Sequence, residues 1–372
     1  MSTPTQEGTL AATLAHYRED IDRLDRDIVA LLNARARVVL EVGEAKANHQ
    51  AAVFVPDREE QVYANIRAAN EGPLRADALK SIYREVISSM RSLEQHLMIA
   101  FLGPLHTFTH QAAVARFGDA ARYLPLRTVP EVFAYTEKDS ADYGVVAVEN
   151  STGGMVGETL DLFVSTDLKI CAEIMLPIHH YMLSTVDLDK VTHVYVHPQA
   201  HAQCRNWLAS HLPGAEMIEA TSNARAAELA SEDAGSAAIG PEVAARAYGL
   251  KVLAANIEDM AINVTRFLVL GREMGRRSGK DKSAVLFSIR DRVGALRDAL
   301  DVFERHGINL TKIESRPSRR KVWDYVFFAD FIGHPEDNHV ATALEELRDQ
   351  CQHVKVLGSW PQAELAPPGP GF

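Results

Sequence analysis

Leu14, Ile21, Leu24, Ile28, Leu31, Arg35, Val38, Val42 and Ala45 recur at the a/d spacing of a helix buried along one edge, and one of these seam positions holds a cation. A buried, unpaired guanidinium would be strongly unfavourable, so something anionic has to meet Arg35. The partner is either an internal Glu or Asp, or a ligand. Lys46 bears on that choice. It lies eleven residues on, roughly 20° from Arg35 around a straight helix and about 16 Å along it, so two long side chains could reach one small anion.

Arg18 precedes Arg35 by seventeen residues, roughly 25 Å, too far for both to hold one metabolite within a single straight helix. An antiparallel second copy removes the difficulty and predicts a homodimer, or a higher homo-oligomer, in which Arg18 crosses into the neighbour's pocket. A second helix opens at Val55-Pro56-Asp57-Arg58-Glu59, with Pro56 suited to the first turn. A third runs from about Pro73 to Gln95, and its stripe Tyr83, Ile87, Met90 ends on Glu94. Three helices thus point Arg35, Lys46, Arg58, Glu59 and Glu94 toward a common interior.

This arrangement resembles the all-helical chorismate mutase domain over residues 10–96. The strings Arg18-Glu19-Asp20-Ile21 through Ala34-Arg35, Glu41-Val42-Gly43-Glu44-Ala45-Lys46 and Asp57-Arg58-Glu59-Glu60 match in order and spacing. The resemblance implies that Arg35 and the partner's Arg18 hold the two carboxylates of chorismate, with Arg58 nearby. It places Lys46 and Glu94 at the ether oxygen and Glu59 at the ring hydroxyl. Where many members carry Gln, this chain has Glu94, which has to be protonated to donate a hydrogen bond.

At 372 residues and 41.0 kDa the chain should hold two or three domains. A net charge of -11 argues against a general nucleic-acid partner and requires local cation clusters for anionic substrates. Cys171, Cys204 and Cys351 read as reduced thiols. Neither a cationic, apolar leader nor a bilayer-spanning run is evident, so a cytoplasmic protein without a membrane partner is expected. Residues 1–8 and the tail from Pro367 to Phe372 read as disordered.

From Met98 the rhythm changes to short apolar runs alternating with helical stretches. Strands are expected at Ile99–Leu102, Gly144–Val148, Val194–Val196, Ala237–Ile239 and Phe267–Leu270. Helices are expected at Thr109–Phe117, Val156–Val164, Pro198–Ala209, Asn223–Ser231 and Pro241–Tyr248. The pattern predicts a two-lobed α/β domain with largely parallel sheets, whose ligand site lies in the loops following the strands. Those loops contain Gly103 to Thr109, Glu149-Asn150-Ser151, His197-Pro198-Gln199-Ala200 and Ser222-Asn223. Each alone suits an ordinary helix cap as well as a carboxylate site.

Taken with Asn263-Val264-Thr265-Arg266-Phe267, these loops resemble prephenate dehydratase over residues 97–273. The resemblance implies loss of water and carbon dioxide from prephenate, with Thr265 essential as a hydroxyl donor or relay and Arg266 beside it in a charged network. Thr109, Glu149, Asn150, Ser151, Ser222, Asn223, Arg266 and Phe267 are the implied prephenate contacts. Two positions depart from the pattern: His106 stands where the family usually has Gly, and Ala147 where Pro is common.

No metal or cofactor is expected. His197, His201 and Cys204 have metal-like spacing, but without an evident fourth ligand a structural histidine and a buried thiol are the simpler reading. His179-His180 read as strand residues on opposite faces, and Arg319-Arg320-Lys321 as a solvated turn. No Gly-x-Gly-x-x-Gly follows a strand, which counts against a dehydrogenase.

After a charged linker at Gly271–Lys282, strands are expected at Ala284–Ile289, Leu310–Glu314, Val322–Phe331 and Val354–Leu357, with helices at Gly294–Arg305 and Glu336–Gln350. That β-α-β-β-α-β order suggests an α+β ferredoxin-like sandwich over residues 283–361. Gly294-Ala295-Leu296 and Glu314-Ser315-Arg316-Pro317 resemble the two phenylalanine-site motifs of the regulatory ACT domain. The whole chain is similar to bifunctional chorismate mutase–prephenate dehydratases, which implies L-phenylalanine as feedback effector. The rival is a two-lobed amino-acid sensor or solute-binding protein, which would need neither Thr265 nor a cation-lined helical domain.

Overall fold

A computed structural model describes residues 6–49, 53–318 and 325–363. The helical region comprises α1 (Gln6–Asn48), α2 (Pro56–Ala68) and α3 (Ala76–Glu94). Pro56 stands at the start of α2, where its missing N–H costs nothing. The α1 helix, about 65 Å long at 1.5 Å per residue, packs along α3, and Gly43 leaves room for the Glu94 side chain. Its seam, expected to be buried, is largely bare within one chain: Ile21, Leu24, Ile28, Leu31, Val38 and Val42 are exposed.

The first lobe of the middle region contains β1 (Met98–Leu102), α4 (Phe108–Phe117), β2 (Arg122–Leu126), α5 (Val129–Glu137), β3 (Tyr143–Asn150), β4 (Gly154–Met155), α6 (Gly157–Phe163) and β5 (Lys169–Pro177). The second contains β6 (Tyr181–Ser184), β7 (His193–Val196), α7 (Pro198–Gln203), α8 (Arg205–His211), β8 (Glu216–Glu219), α9 (Asn223–Glu232), β9 (Ser236–Gly240), α10 (Glu242–Tyr248) and β10 (Lys251–Ala254). Then β11 (Val264–Gly271) returns to the first lobe, between β3 and β5. The sheets are mixed, correcting the expectation of largely parallel ones, because β11 runs antiparallel to both neighbours and β6 antiparallel to β9 and β10. The helix expected at Pro198–Ala209 is two helices that meet at Cys204.

The C-terminal region contains β12 (Asp281–Ser288), α11 (Ala295–Arg305), β13 (Leu310–Pro317), β14 (Tyr325–Ile332), α12 (Asn338–Gln350) and β15 (His353–Pro361). Strand order β13-β14-β12-β15 with two helices on one face is the ferredoxin-like arrangement. Its sheet does not stand alone: β15 pairs with β5, making one ten-stranded sheet with the first lobe. Gly358 permits that seam, since a Cβ there would lie 2.1 Å from the Ile170 carbonyl oxygen. On the face away from α11 and α12, Ala284, Leu286, Val326, Phe328, Leu357 and Trp360 share a core with Val146, Val148, Leu268 and the α5–α6 side chains.

Six expectations shift or fall, wholly or in part, outside the described residues. Gly271 closes β11 and Asp281-Lys282 open β12, so the linker is shorter than expected. Gln6 to Gly8 are already helical. The turn at Arg319-Arg320-Lys321, residues 322–324 of the expected strand, residues 1–5 and the tail at 367–372 lie outside the described residues. His179-His180 occupy the connection between β5 and β6, not a strand; His179 pairs with Glu258 while His180 is buried.

Candidate active sites

The helical region encloses a cavity of about 520 Å³ whose wall includes Arg35, Lys46, Arg58, Glu59 and Glu94. Lys46 Nζ lies 3.0 Å from Glu94 Oε2 and also donates to the Val53 carbonyl at 3.3 Å. Arg35 has no carboxylate partner among the described residues; its Nη1 lies 2.6 Å from Met90 Sδ. A half-buried guanidinium facing open space without a counter-charge is what an anionic ligand would complete. Arg58 donates to Gln61 Oε1 at 2.6 Å. Glu59 is buried against Arg91 at 2.8 Å and Arg116 of α4 at 3.3 Å, so its charge is already countered. Arg91 and Arg276, both on the cavity wall, were not picked out from the sequence, because neither sits at a seam position. Arg18 is exposed on α1 and does not line this cavity.

A second cavity, of about 850 Å³, opens between the two lobes of the middle region. Thr109, Thr265, Phe267 and Ala147 of the first lobe face Ser222 and Asn223 of the second. Ser222 caps α9 by accepting from the Arg225 N–H. Asn150 Nδ2 donates to Thr265 Oγ1 at 2.8 Å and to Asn263 Oδ1 at 2.8 Å. The amide orientation is fixed by its other end, where Oδ1 accepts from the N–H groups of Thr152 and Gly153 at 3.0 and 2.7 Å. Because the Thr265 oxygen accepts from Asn150, its proton is free to point into the cleft.

The register explains which neighbours share this cleft. Thr265 pairs with Asn150, Arg266 with Glu149 and Phe267 with Ala147, leaving Val148 as the extra residue of a bulge. Ala147 and Asn150 therefore serve the cleft side while Val148 and Glu149 face the other way. Two expected contacts are corrected accordingly. Glu149 turns to Lys312 of β13 at 2.9 Å, and Arg266 is buried against Glu173 at 2.9 Å and Asp330 of β14 at 2.5 Å. Ser151 does not line the cleft; its Oγ accepts from the Val264 N–H.

Several cleft residues were not anticipated as contacts. Arg127 and Glu158 bring a cation and a carboxyl to its rim, and Thr221 adds a hydroxyl. His197 and Gln199, in a loop singled out from the sequence, also line it. His197 Nδ1 accepts from the Gln199 N–H, leaving the ring proton on Nε2, and burial lowers its pKa below the ordinary histidine value. His106 adopts φ +65°, the left-handed region where Gly is favoured, so the Gly-to-His departure falls on a backbone that resists a side chain. Cys204 is buried in the second lobe's core. No cluster of three or more His, Cys, Asp or Glu among the described residues could hold a metal ion, and no described helix is long and apolar enough to cross a membrane.

In the C-terminal region, Gly294 takes φ +83° at the start of α11, where the Ala295 and Leu296 backbone begins the helix. Along β13, Lys312, Glu314 and Arg316 alternate with the more exposed Ser315 and Pro317. Arg316 is corrected as a contact on the Gly294 side: its guanidinium grips Asp161 of α6 at 3.0 Å. Glu314 shares that inward face, opposite Phe328.

Three family models match the chain in succession: chorismate mutase type II over residues 17–95, prephenate dehydratase over 99–275 and the ACT domain over 283–349. Fold and sites thus define a multidomain enzyme with a helical isomerase module, a two-lobed lyase module and a regulatory-type domain. The chain is 47% identical over 357 residues to the bifunctional chorismate mutase/prephenate dehydratase of Aquifex aeolicus, covering 95% of this chain and 99% of that one. It is 42% identical to the protein of the same name from Pseudomonas aeruginosa, covering 95% and 98%. The crystal structure of prephenate dehydratase in complex with L-Phe from Arthrobacter aurescens superposes with a TM-score of 0.67 at 35% identity, covering 72% of this chain and 90% of that one. The chain belongs to the bifunctional chorismate mutase/prephenate dehydratase family.

Proposed function

We infer that the two cavities catalyse consecutive reactions: chorismate rearranges to prephenate in the helical cavity, and prephenate loses water and carbon dioxide in the cleft to give phenylpyruvate. The observation that carries the first step is Arg35, a guanidinium without a carboxylate partner among the described residues, on the wall of a cavity shared with Lys46 and Glu94. The rearrangement is pericyclic and needs no nucleophile. The protein's share is to hold the reactive conformer and stabilise charge developing on the ether oxygen. Arg35 and the partner's Arg18 take the two carboxylates, Arg58 supports them, and Lys46 meets the ether oxygen. Glu59 takes the ring hydroxyl, a role supported by Arg91 and Arg116, which hold its carboxylate.

In the cleft, ring aromatisation drives off carbon dioxide while the ring hydroxyl departs, so a hydrogen bond or proton must reach that oxygen. Thr265 supplies it as donor or relay, held by Asn150. Thr109, Ser222, Asn223 and Phe267 shape the surrounding wall. L-phenylalanine acts as feedback effector, bound between C-terminal domains of two copies near Gly294-Ala295-Leu296 and Ser315-Pro317. It works by favouring a less active state for which it has higher affinity.

The deciding experiment feeds chorismate to the purified protein and follows prephenate and phenylpyruvate together, with and without phenylalanine. Both products should form, and phenylalanine should suppress phenylpyruvate. In Thr265→Ala, prephenate should accumulate with no phenylpyruvate. Chorismate left unconsumed, or dehydratase turnover retained in that variant, would refute the assignment.

A further inference from the structure

Across the boundary between the catalytic strands and the C-terminal sheet, four charges form a closed set. Arg266 and Glu149 are register partners on β11 and β3, and Lys312 and Asp330 are register partners on β13 and β14. Each member of one pair contacts the opposite charge of the other: Arg266 Nη1 lies 2.5 Å from Asp330 Oδ2, and Lys312 Nζ lies 2.9 Å from Glu149 Oε2. Glu173 of β5 and Lys282 of β12 close one end, with Glu173 Oε2 at 2.9 Å from Arg266 Nε and 3.2 Å from Lys282 Nζ. The next register pair along the catalytic strands is Thr265 with Asn150.

We propose that Lys312 and Asp330 are positioning residues for the dehydratase reaction, holding Glu149 and Arg266 so that the adjoining Thr265–Asn150 pair presents its hydroxyl to the cleft. The proposal rests on the dehydratase reading of the cleft. Apolar packing already joins the two sheets through residues such as Leu268 and Phe328, so the charges are not needed to bury area. What they add is direction. A buried, hydrogen-bonded ion pair contributes little net stability over an apolar contact but defines one geometry, whereas apolar surfaces can slide. The bulge at Val148 sets the phase of the strand: it lets Ala147 and Asn150 share the cleft side while Val148 and Glu149 share the side facing the C-terminal sheet. Lys312 also shares β13 with Ser315 and Pro317, so one of the two positioning groups and the effector motif belong to one strand.

The test uses the full chain and the less buried pair, because altering Arg266 or Asp330 threatens folding. Dehydratase kcat and KM for prephenate are measured in Lys312→Met, Glu149→Gln, the double variant and the reversed pair Lys312→Glu with Glu149→Lys. Mutase turnover serves as the folding control. Each single variant should lose kcat on the order of tenfold while KM changes less than about twofold, as expected when a catalytic group is displaced rather than removed. The double variant should be no worse than either single, and the reversed pair should recover most of the loss. A kcat in Lys312→Met equal to that of an active unaltered chain would overturn the proposal alone. So would a KM that rises in proportion in Glu149→Gln, since that marks a substrate contact. No phenylpyruvate from the unaltered chain would overturn the dehydratase reading, and the proposal with it.

Discussion

Asn150 spends both amide hydrogens inside the protein, one of them on Thr265, and its carbonyl is fixed by two backbone donors. Asn150→Asp replaces the donating amide with an acceptor, so the Thr265 hydroxyl should turn back toward the carboxylate. Dehydratase kcat should fall about 10²-fold or more, on the scale of losing one oriented donor, while mutase turnover persists. Behind Asn150, Gln203 links this network to His180, whose Nε2 donates to Gln203 Oε1 at 2.8 Å while its buried Nδ1 has no hydrogen-bond partner among the described residues. Burial lowers the His180 pKa below its ordinary 6.5, so the folded state resists a proton that the unfolded chain accepts. Its contribution to stability is present above pH 6.5 and is lost as the pH falls from there toward the lowered folded value. The melting temperature should drop over that interval, and His180→Gln should flatten the drop; equal slopes would assign the effect elsewhere. Thr265 and Asn150, and Arg35, Lys46 and Arg58 of the first cavity, could be picked out from the chain because they fall in short motifs, whereas Arg91 and Arg276 on the same wall could not. Arg266 alternates with Thr265 and Phe267, so strand periodicity alone assigns it to the face away from the cleft; Glu149 was harder to place, since a bulge in β3 changes which neighbours share a face and nothing in the local sequence marks Val148 as the extra residue.

The α1 helix displays the same mixture of legible and hidden information one level up. Its apolar rhythm was plain in the sequence, yet the single chain covers little of it, leaving Leu24, Ile28 and Leu31 more than half exposed. Burial of such a stripe against a second copy is strongly favoured, and it would also bring the distant Arg18 to the neighbour's cavity. Arg18→Ala and Arg35→Ala should each abolish mutase activity by removing one carboxylate contact. Mixing the two inactive proteins under exchange should restore about a quarter of the wild-type rate, because half the dimers are hybrids and each hybrid has one intact site. No recovery on mixing would place both arginines in one chain's site. Strands β2 and β5 and helix α5 were missed altogether. Arg122–Leu126 contains a proline and only partial burial, and Lys169–Pro177 carries a buried Glu173 that interrupts its apolar run. Long-range ion pairing makes that glutamate tolerable in the core, and such pairing leaves no local periodicity to read.

The element order of the C-terminal domain followed from its own stretch of sequence, but its joining to the middle domain did not, because it depends on contacts between residues far apart in the chain, among them one backbone pairing across 188 positions. Gly358 of β15 lies directly against Ile170 of β5, and the two sheets continue through that point. A methyl group there would overlap the Ile170 backbone, and a backbone neighbour cannot rotate aside as a side chain can. Gly358→Ala should therefore open the seam at a cost of about 1–3 kcal/mol, the range for overpacking. The consequence should be selective. The helical cavity is built from α1, α2 and α3 with the segment around Arg276, so mutase turnover should remain. The cleft strand β11 pairs directly with β5, so dehydratase kcat should fall and the response to phenylalanine should weaken together. Calorimetry of the full chain, with both activities measured across a phenylalanine titration, distinguishes this from general destabilisation. A lower melting temperature with unaltered dehydratase kcat and an unaltered phenylalanine midpoint would show that the continuous sheet holds the domains together without coupling them.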